Sequence, residues 1–211
     1  MLINICGICH LIKRLKFLSW KGNNMVKTEN LYALPFSTDV KTIAISDPKA
    51  HYDHFKHAID FLMGEETPIF AMRDGAVTEV KDDSDEGGLD EKYRDDIKYL
   101  NYLTLQHDNG EYSQYCHVKY RGVLVRVGDR VKEGQDIALS GNTGYSSAPH
   151  LHVMVFRLNK TKIGWESLEI RWKDYQLTIH TGEEANELLQ TEEYKPLLDA
   201  IVKPRKNQVI L

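Results

Sequence analysis

His150 and His152 are separated by one residue, and the run that follows them, Val153-Met154-Val155-Phe156, is rich in strand-forming side chains. In a strand, residues i and i+2 point to the same face. The two imidazoles therefore share a face, with Leu151 and Val153 turned to the other. Their positions along the strand differ by about 7 Å. Before them lies the loop Gly141-Asn142-Thr143-Gly144-Tyr145-Ser146-Ser147-Ala148-Pro149. Its glycines permit tight turns and the close approach of a substrate backbone. Two imidazoles on one face can bind one metal ion, or divide into a metal ligand and a proton-transfer group. An isolated H-x-H also fits a plain surface strand, so its meaning depends on what else the chain supplies.

Three further elements supply partners. His51, His54 and His57 precede Asp60, which sits between Ile59 and Phe61. If those two face the core, Asp60 faces away from it. His117 follows Tyr115-Cys116 late in a hairpin strand. Zinc in hydrolases keeps three protein ligands and leaves the fourth position to water. Two histidines and one carboxylate make a suitable set, and the metal would lower the pKa of its water and polarise a carbonyl. Two histidines would then remain to move protons and stabilise an oxyanion.

The elements that must hold these residues read as β. Strands are expected at Val40 to Ser46 and Ala58 to Leu62. A hairpin is expected from Ile69-Phe70-Ala71-Met72 through Arg73-Asp74-Gly75 to Ala76–Val80, and another across Asp108-Asn109-Gly110. Short strands follow around Gly128 and Gly134, Leu151 to Leu158 is expected to close the sheet, and Ser167 to Trp172 adds a strand. Regular turn signals between short strands mean a sandwich or barrel. The acidic run from Asp82 to Asp96 reads as a solvated loop. From Glu183 the pattern turns helical, with Ala185, Leu188 and Leu189 on one face, and a second helix carries Leu197, Leu198 and Ile201.

The 211 residues fit one domain with extensions, and 42% hydrophobic content suffices for a core. A net charge of −4 argues against a nucleic-acid partner. No apolar run is long enough to span a bilayer. Cys6-Gly7-Ile8-Cys9-His10 has the spelling of a haem attachment site, but it lies at the extreme N-terminus ahead of a basic run. It also lacks the second C-x-x-C of a zinc ribbon. Cys116 reads as a small buried hydrophobe. Leu2 to Leu18 places its charge after its apolar stretch, the reverse of a secretory signal. His107 reads as a hairpin residue beside a turn, and His180 as structural or exposed.

From His51 to Phe156 the chain resembles the lysostaphin/LytM-type zinc metallopeptidases, which cut peptide bonds in peptidoglycan. The resemblance rests on Ala58-Ile59-Asp60-Phe61, Glu66 to Gly75, the strand after Asn101, His107-Asp108-Asn109-Gly110, Tyr115-Cys116-His117-Val118, Val127 to Gln135, and Ser140 to His152. It implies an all-β, lysostaphin-like antiparallel β-sandwich or half-barrel at 31–180. An N-terminal extension at 1–30 and a helical C-terminal tail at 181–211 flank that domain. It implies Zn2+ as cofactor, a peptidoglycan peptide as substrate, and extracytoplasmic or cell-wall-associated action. Carried over by position, it makes Asp60 and His152 zinc ligands. It makes His117 and His150 the catalytic pair that works on the water and the tetrahedral intermediate. Many members place the first histidine ligand four residues before the aspartate, where this chain has Lys56; others place it nine before, which is His51. His54 and His57 compete with it, although an odd separation would turn His57 away from Asp60 in a regular strand. The rival reading is a noncatalytic cell-wall-binding or hydrolase-activating module of the same fold. A lipoyl-like carrier shares the Val127–Gln135 turn pattern but leaves the histidines unexplained.

Overall fold

The computed structural model describes residues 27–94, 96–159 and 164–202. The Cys6-x-x-Cys9-His10 motif and most of the expected N-terminal extension lie outside the described residues. The described strands are β1 (Ile43–Ile45), β2 (Ile59–Leu62), β3 (Pro68–Phe70), β4 (Gly75–Lys81), β5 (Gly87–Gly88), β6 (Tyr102–Gln106) and β7 (Glu111–Cys116). They continue with β8 (Val118–Val123), β9 (Arg130–Val131), β10 (Asp136–Ser140), β11 (Gly144–Tyr145), β12 (His150–Leu158), β13 (Trp165–Leu168) and β14 (Ile179–His180). Two short helices follow, α1 (Gly182–Leu189) and α2 (Lys195–Ile201).

The large sheet runs β14-β1-β2-β12-β7-β6-β4-β9, with β13 also paired to β12. A second sheet has the order β3-β10-β8, and β11 pairs with β5. The pairings are antiparallel apart from β1 with β14 and β11 with β5. Ile59, Phe61, Leu103, Leu105, Tyr115, Leu151, Val153 and Val155 of the large sheet share one core with Ile69, Val118, Ile137 and Ala138 of the second. Strand alternation then sends Asp60, Leu62, Cys116, His150, His152 and Met154 to the opposite, outer face of the large sheet.

Two apolar patches cover that outer face. On one side Ala185, Leu189, Leu197 and Ile201 of α1 and α2 pack on Ile43, Ile45 and Leu62. A capping box between Thr181 and Glu184 starts α1, and Pro196 opens α2. On the other side Phe55, Ala58, Cys116, Met154 and Trp165 form a second patch. Asp60 and His152 lie between the two.

Three expectations are corrected. The segments at 69–72 and 76–80 do not form a hairpin, because β3 pairs with β10 while β4 pairs with β6 and β9. The intervening turn is held from elsewhere. The Ala71 N–H donates to the Gln135 carbonyl, and the Asp74 carboxylate takes the Glu133 N–H and the Lys132 ammonium. A local turn signal is blind to such distant partners.

Secondly, β12 does not close the sheet. It lies inside it between β2 and β7, as its run of residues buried on both faces demands. Thirdly, the acidic run is not simply a solvated loop. Asp90 and Asp96 cap 3-10 turns, Asp82 accepts the Val123 N–H, and Glu86 pairs with Lys92. Its β5 lies along β11, in the loop that leads to His150.

The N-terminal side is tied down as well. Lys27 bridges to Glu169 and Tyr32 to Trp172. The buried Glu111 carboxylate accepts the Glu29 N–H at 2.6 Å and the Tyr32 hydroxyl at 2.9 Å.

Candidate metal centre

Asp60 occupies the middle of β2, opposite His152 of β12 on one side and Ile45 of β1 on the other. Cys116 of β7 stands opposite His152 on its other flank. His51 reaches the same place from a loop. A turn at Asp47 accepts the Ala50 and His51 N–H groups, and the Ser46 hydroxyl closes the loop on the Ala58 carbonyl at 3.0 Å. The nine-residue spacing between His51 and Asp60 is thus an excursion away from the sheet and back.

The ligand-bearing atoms of His51, Asp60 and His152 lie within 4.8 Å of one another. His51 Nε2 is 3.1 Å from Asp60 Oδ2, and His152 Nδ1 is 2.7 Å from Asp60 Oδ1. His150 Nε2 lies 3.8 Å from the same carboxylate. The His117 ring centroid is 4.3 Å from that of His150 and 6.2 Å from that of His152. All five side chains are at most 3% exposed.

Electrostatics fit a cation site. Burial would raise the Asp60 carboxyl, but His51, His150 and His152 outweigh it and hold it well below the usual carboxylate range. Burial pushes His117 well below the ordinary imidazole value, and His150 and His152 push it further. Burial also lowers His150 and His152 against the pull of Asp60. For His51 the pull of Asp60 overcomes burial, and its pKa rises. Buried polar atoms are almost always hydrogen-bonded. Yet Nε2 of His117 and Nε2 of His150 have no hydrogen-bond partner in the protein, and Asp60 Oδ2 meets the His51 ring, 3.1 Å away. Two histidines and a carboxylate that converge on one buried point fit a zinc ion by donor chemistry.

His117 and His150 are oriented by the loop. His117 Nδ1–H donates to the Thr143 carbonyl at 2.6 Å, and His150 Nδ1–H to the Ala148 carbonyl at 2.8 Å. A carbonyl can only accept, so both rings carry their proton on Nδ1 and present a bare Nε2. His117 sits where the chain leaves the large sheet at Cys116 and enters the second at Val118. It does so at φ 61°, in the left-handed region where non-glycine residues are strained.

The other histidines stand apart from this cluster. His54 packs edge-on to Trp165 at 5.8 Å. His57 is half-buried, its pKa lowered by burial and by Lys56. His107 binds the Asp74 carbonyl and the Ser113 hydroxyl, and His180 lies 3.9 Å from Glu184. Reading from sequence missed the roles of Thr143, Ser146 and the acidic insert around the loop. The one available signal was the hydroxyl spacing, since a serine two residues before a carbonyl it can reach is a known local turn.

A buried carboxylate between histidines, with two more imidazoles beside it, defines a candidate mononuclear metal centre of hydrolytic type. Residues 54–164 match the model of peptidase family M23, and the chain belongs to that family. It is 39% identical over 113 residues to an uncharacterized metalloprotease of Buchnera aphidicola, covering 54% of this chain and 26% of that protein. It is 39% identical over 97 residues to the glycyl-glycine endopeptidase ALE-1 of Staphylococcus capitis, covering 46% and 23%. It is 36% identical over 93 residues to the peptidoglycan DD-endopeptidase ShyA of Vibrio cholerae, covering 44% and 18%. The chain spans about a quarter or less of the length of these relatives. No helix among the described residues is long and apolar enough to cross a membrane.

Proposed function

We propose that this chain is a zinc-dependent metalloendopeptidase that hydrolyses peptide bonds in peptidoglycan, acting outside the cytoplasm, with residues 31–180 as its catalytic domain. The observation that carries the reading is the convergence of His51, Asp60 and His152 within 4.8 Å, buried and beside His117 and His150. Relatives named for peptidoglycan and glycyl-glycine cleavage support the substrate class.

His51, Asp60 and His152 would hold the metal. Bound there, zinc supplies a water of lowered pKa and polarises the scissile carbonyl. His117 and His150 are held neutral by burial, and each offers Nε2 as a proton acceptor. One of them takes the proton of the attacking water. Once charged, that ring becomes a donor at Nε2. It can hydrogen-bond the developing oxyanion and then pass the proton to the departing amine. The Nδ1 bonds to Thr143 and Ala148 keep Nε2 aimed throughout.

The test is digestion of purified peptidoglycan by the zinc-loaded full chain, with release of new amino termini as the readout. Chelation should abolish release and zinc should restore it. Binding to peptidoglycan without any release would transfer the chain to the noncatalytic reading.

A further inference from the structure

Behind each bare Nε2 stands a carbonyl, and behind each carbonyl stands a hydroxyl of the same loop. The Thr143 hydroxyl donates to the Val118 carbonyl at 3.1 Å and accepts the Asn101 N–H at 3.1 Å. Both bonds are buried, and together they fix the peptide unit whose carbonyl receives His117 Nδ1–H. The Ser146 hydroxyl donates to the Ala148 carbonyl at 2.8 Å and lies 3.2 Å from His150 Nδ1. It braces the acceptor that His150 uses.

The loop is in turn clamped by the acidic insert. Gly87 and Gly88 pair with Gly144 and Tyr145, the Gly144 N–H donates to the Glu86 carbonyl, and the Ser146 N–H donates to the Gly88 carbonyl. A methyl group at Gly87 would collide with the Asn142 carbonyl, and Gly144 has φ +73°. Asn101, fully buried, ties the start of the insert to the same place through both Ser84 backbone groups.

We propose that Thr143 and Ser146 are positioning residues for the two proton-handling histidines, setting which ring nitrogen of His117 and His150 faces the substrate. This rests on the metalloendopeptidase reading above and deepens it. The physical basis is that an imidazole whose Nδ1 acceptor carbonyl is no longer braced can turn or switch tautomer, and Nε2 then no longer presents a lone pair at a fixed point. A hydroxyl that merely packs the loop would affect folding, or binding of metal and substrate. A hydroxyl that orients the base affects the chemical step.

The experiment compares zinc-loaded full-length wild type, Thr143→Val, Thr143→Ser, Ser146→Ala and His117→Ala on a concentration series of purified peptidoglycan, with zinc content measured on each. Thr143→Val keeps the shape and removes the hydroxyl. It should lose about 10–100-fold in kcat, the size seen when partners that orient metal-bound histidines are removed, with KM and zinc content close to wild type. Thr143→Ser should recover most of the rate. Ser146→Ala should lose less, about tenfold, because Ser146 braces the Ala148 carbonyl with one bond whereas the Thr143 hydroxyl makes two buried ones. If Thr143→Val fails to fold, Ser146→Ala carries the same test at His150. Wild-type kcat in both, a loss confined to KM or zinc, or a serine variant no better than valine would overturn the proposal while His117→Ala stays inactive. Equal turnover in His117→Ala and wild type would instead sink the underlying reading, and this proposal with it.

Discussion

Strand β7 has a buried polar cluster at each end, and the two are built on opposite terms. At its start Glu111 accepts Tyr32 and two backbone N–H groups, and His107 bridges the Asp74 carbonyl to Ser113. Ser113 continues to Tyr115, whose hydroxyl accepts the Met72 N–H. The polar side-chain atoms named there are used. At its end, past Cys116, His117 and His150 each leave Nε2 without a protein partner, beside the His51, Asp60 and His152 group. Both clusters carry the desolvation cost of burial. The first recovers it by internal hydrogen bonds, which ties the N-terminal segment to the domain. The second gathers a carboxylate and four imidazoles, a set that could hold a cation. Histidine content alone would not separate them; what separates them is whether the second ring nitrogen is satisfied.

The contrast can be broken most severely at Asp60. Asp60→Ala should strip the metal and reduce peptidoglycan cleavage to background with the fold kept; retained metal would remove Asp60 from the ligand set. Next come His117→Ala and His150→Ala. Each should keep its zinc and lose about 10²–10⁴-fold in turnover, the usual worth of a proton-transfer group. Loss of metal in either would mean that the division between holding and reacting is drawn in the wrong place.

At the satisfied end the effects should fall on stability alone. Glu111→Ala leaves buried donors unpaired and should lower unfolding free energy by about 1–3 kcal/mol, with zinc per folded chain unchanged. Denaturant titration and metal analysis of the same sample check both halves. The smallest effect concerns His107, whose pKa is lowered chiefly by burial. The unfolded chain therefore takes up its proton before the folded chain does. The stability from its neutral state is fully present above about pH 6.5 and is lost as pH falls from there through the lowered folded value. His107→Gln should flatten that part of the stability curve between pH 7 and 5. An unchanged slope would mean that His107 is not held neutral.

Strand alternation made much of this legible in the sequence. It puts His150 and His152 on one face and turns Asp60 away from Ile59 and Phe61, because a period of two survives into the folded sheet. The helical pair after Gly182 was visible as an apolar stripe on charged ground. Pairing partners were not visible. The Arg73-Asp74-Gly75 turn looks like a hairpin tip until Lys132, Glu133 and Gln135 are brought to it by β10. The run from Asp82 to Asp96 looks solvated until Asp90 and Asp96 cap turns, Glu86 pairs with Lys92 and its two glycines meet the loop before His150. That His51, rather than His54 or His57, lies beside Asp60 follows from the closed loop between Ser46 and Ala58, a tertiary feature that spacing cannot supply.

Metal analysis of wild type, His51→Ala and His57→Ala purified in parallel decides whether His51, Asp60 and His152 hold a zinc ion. Wild type and His57→Ala should each carry about one zinc per chain, as a site with three protein ligands requires, and His51→Ala should carry almost none. A metal-free wild type, or full zinc in His51→Ala with loss in His57→Ala, would mean that His51, Asp60 and His152 do not form the metal site.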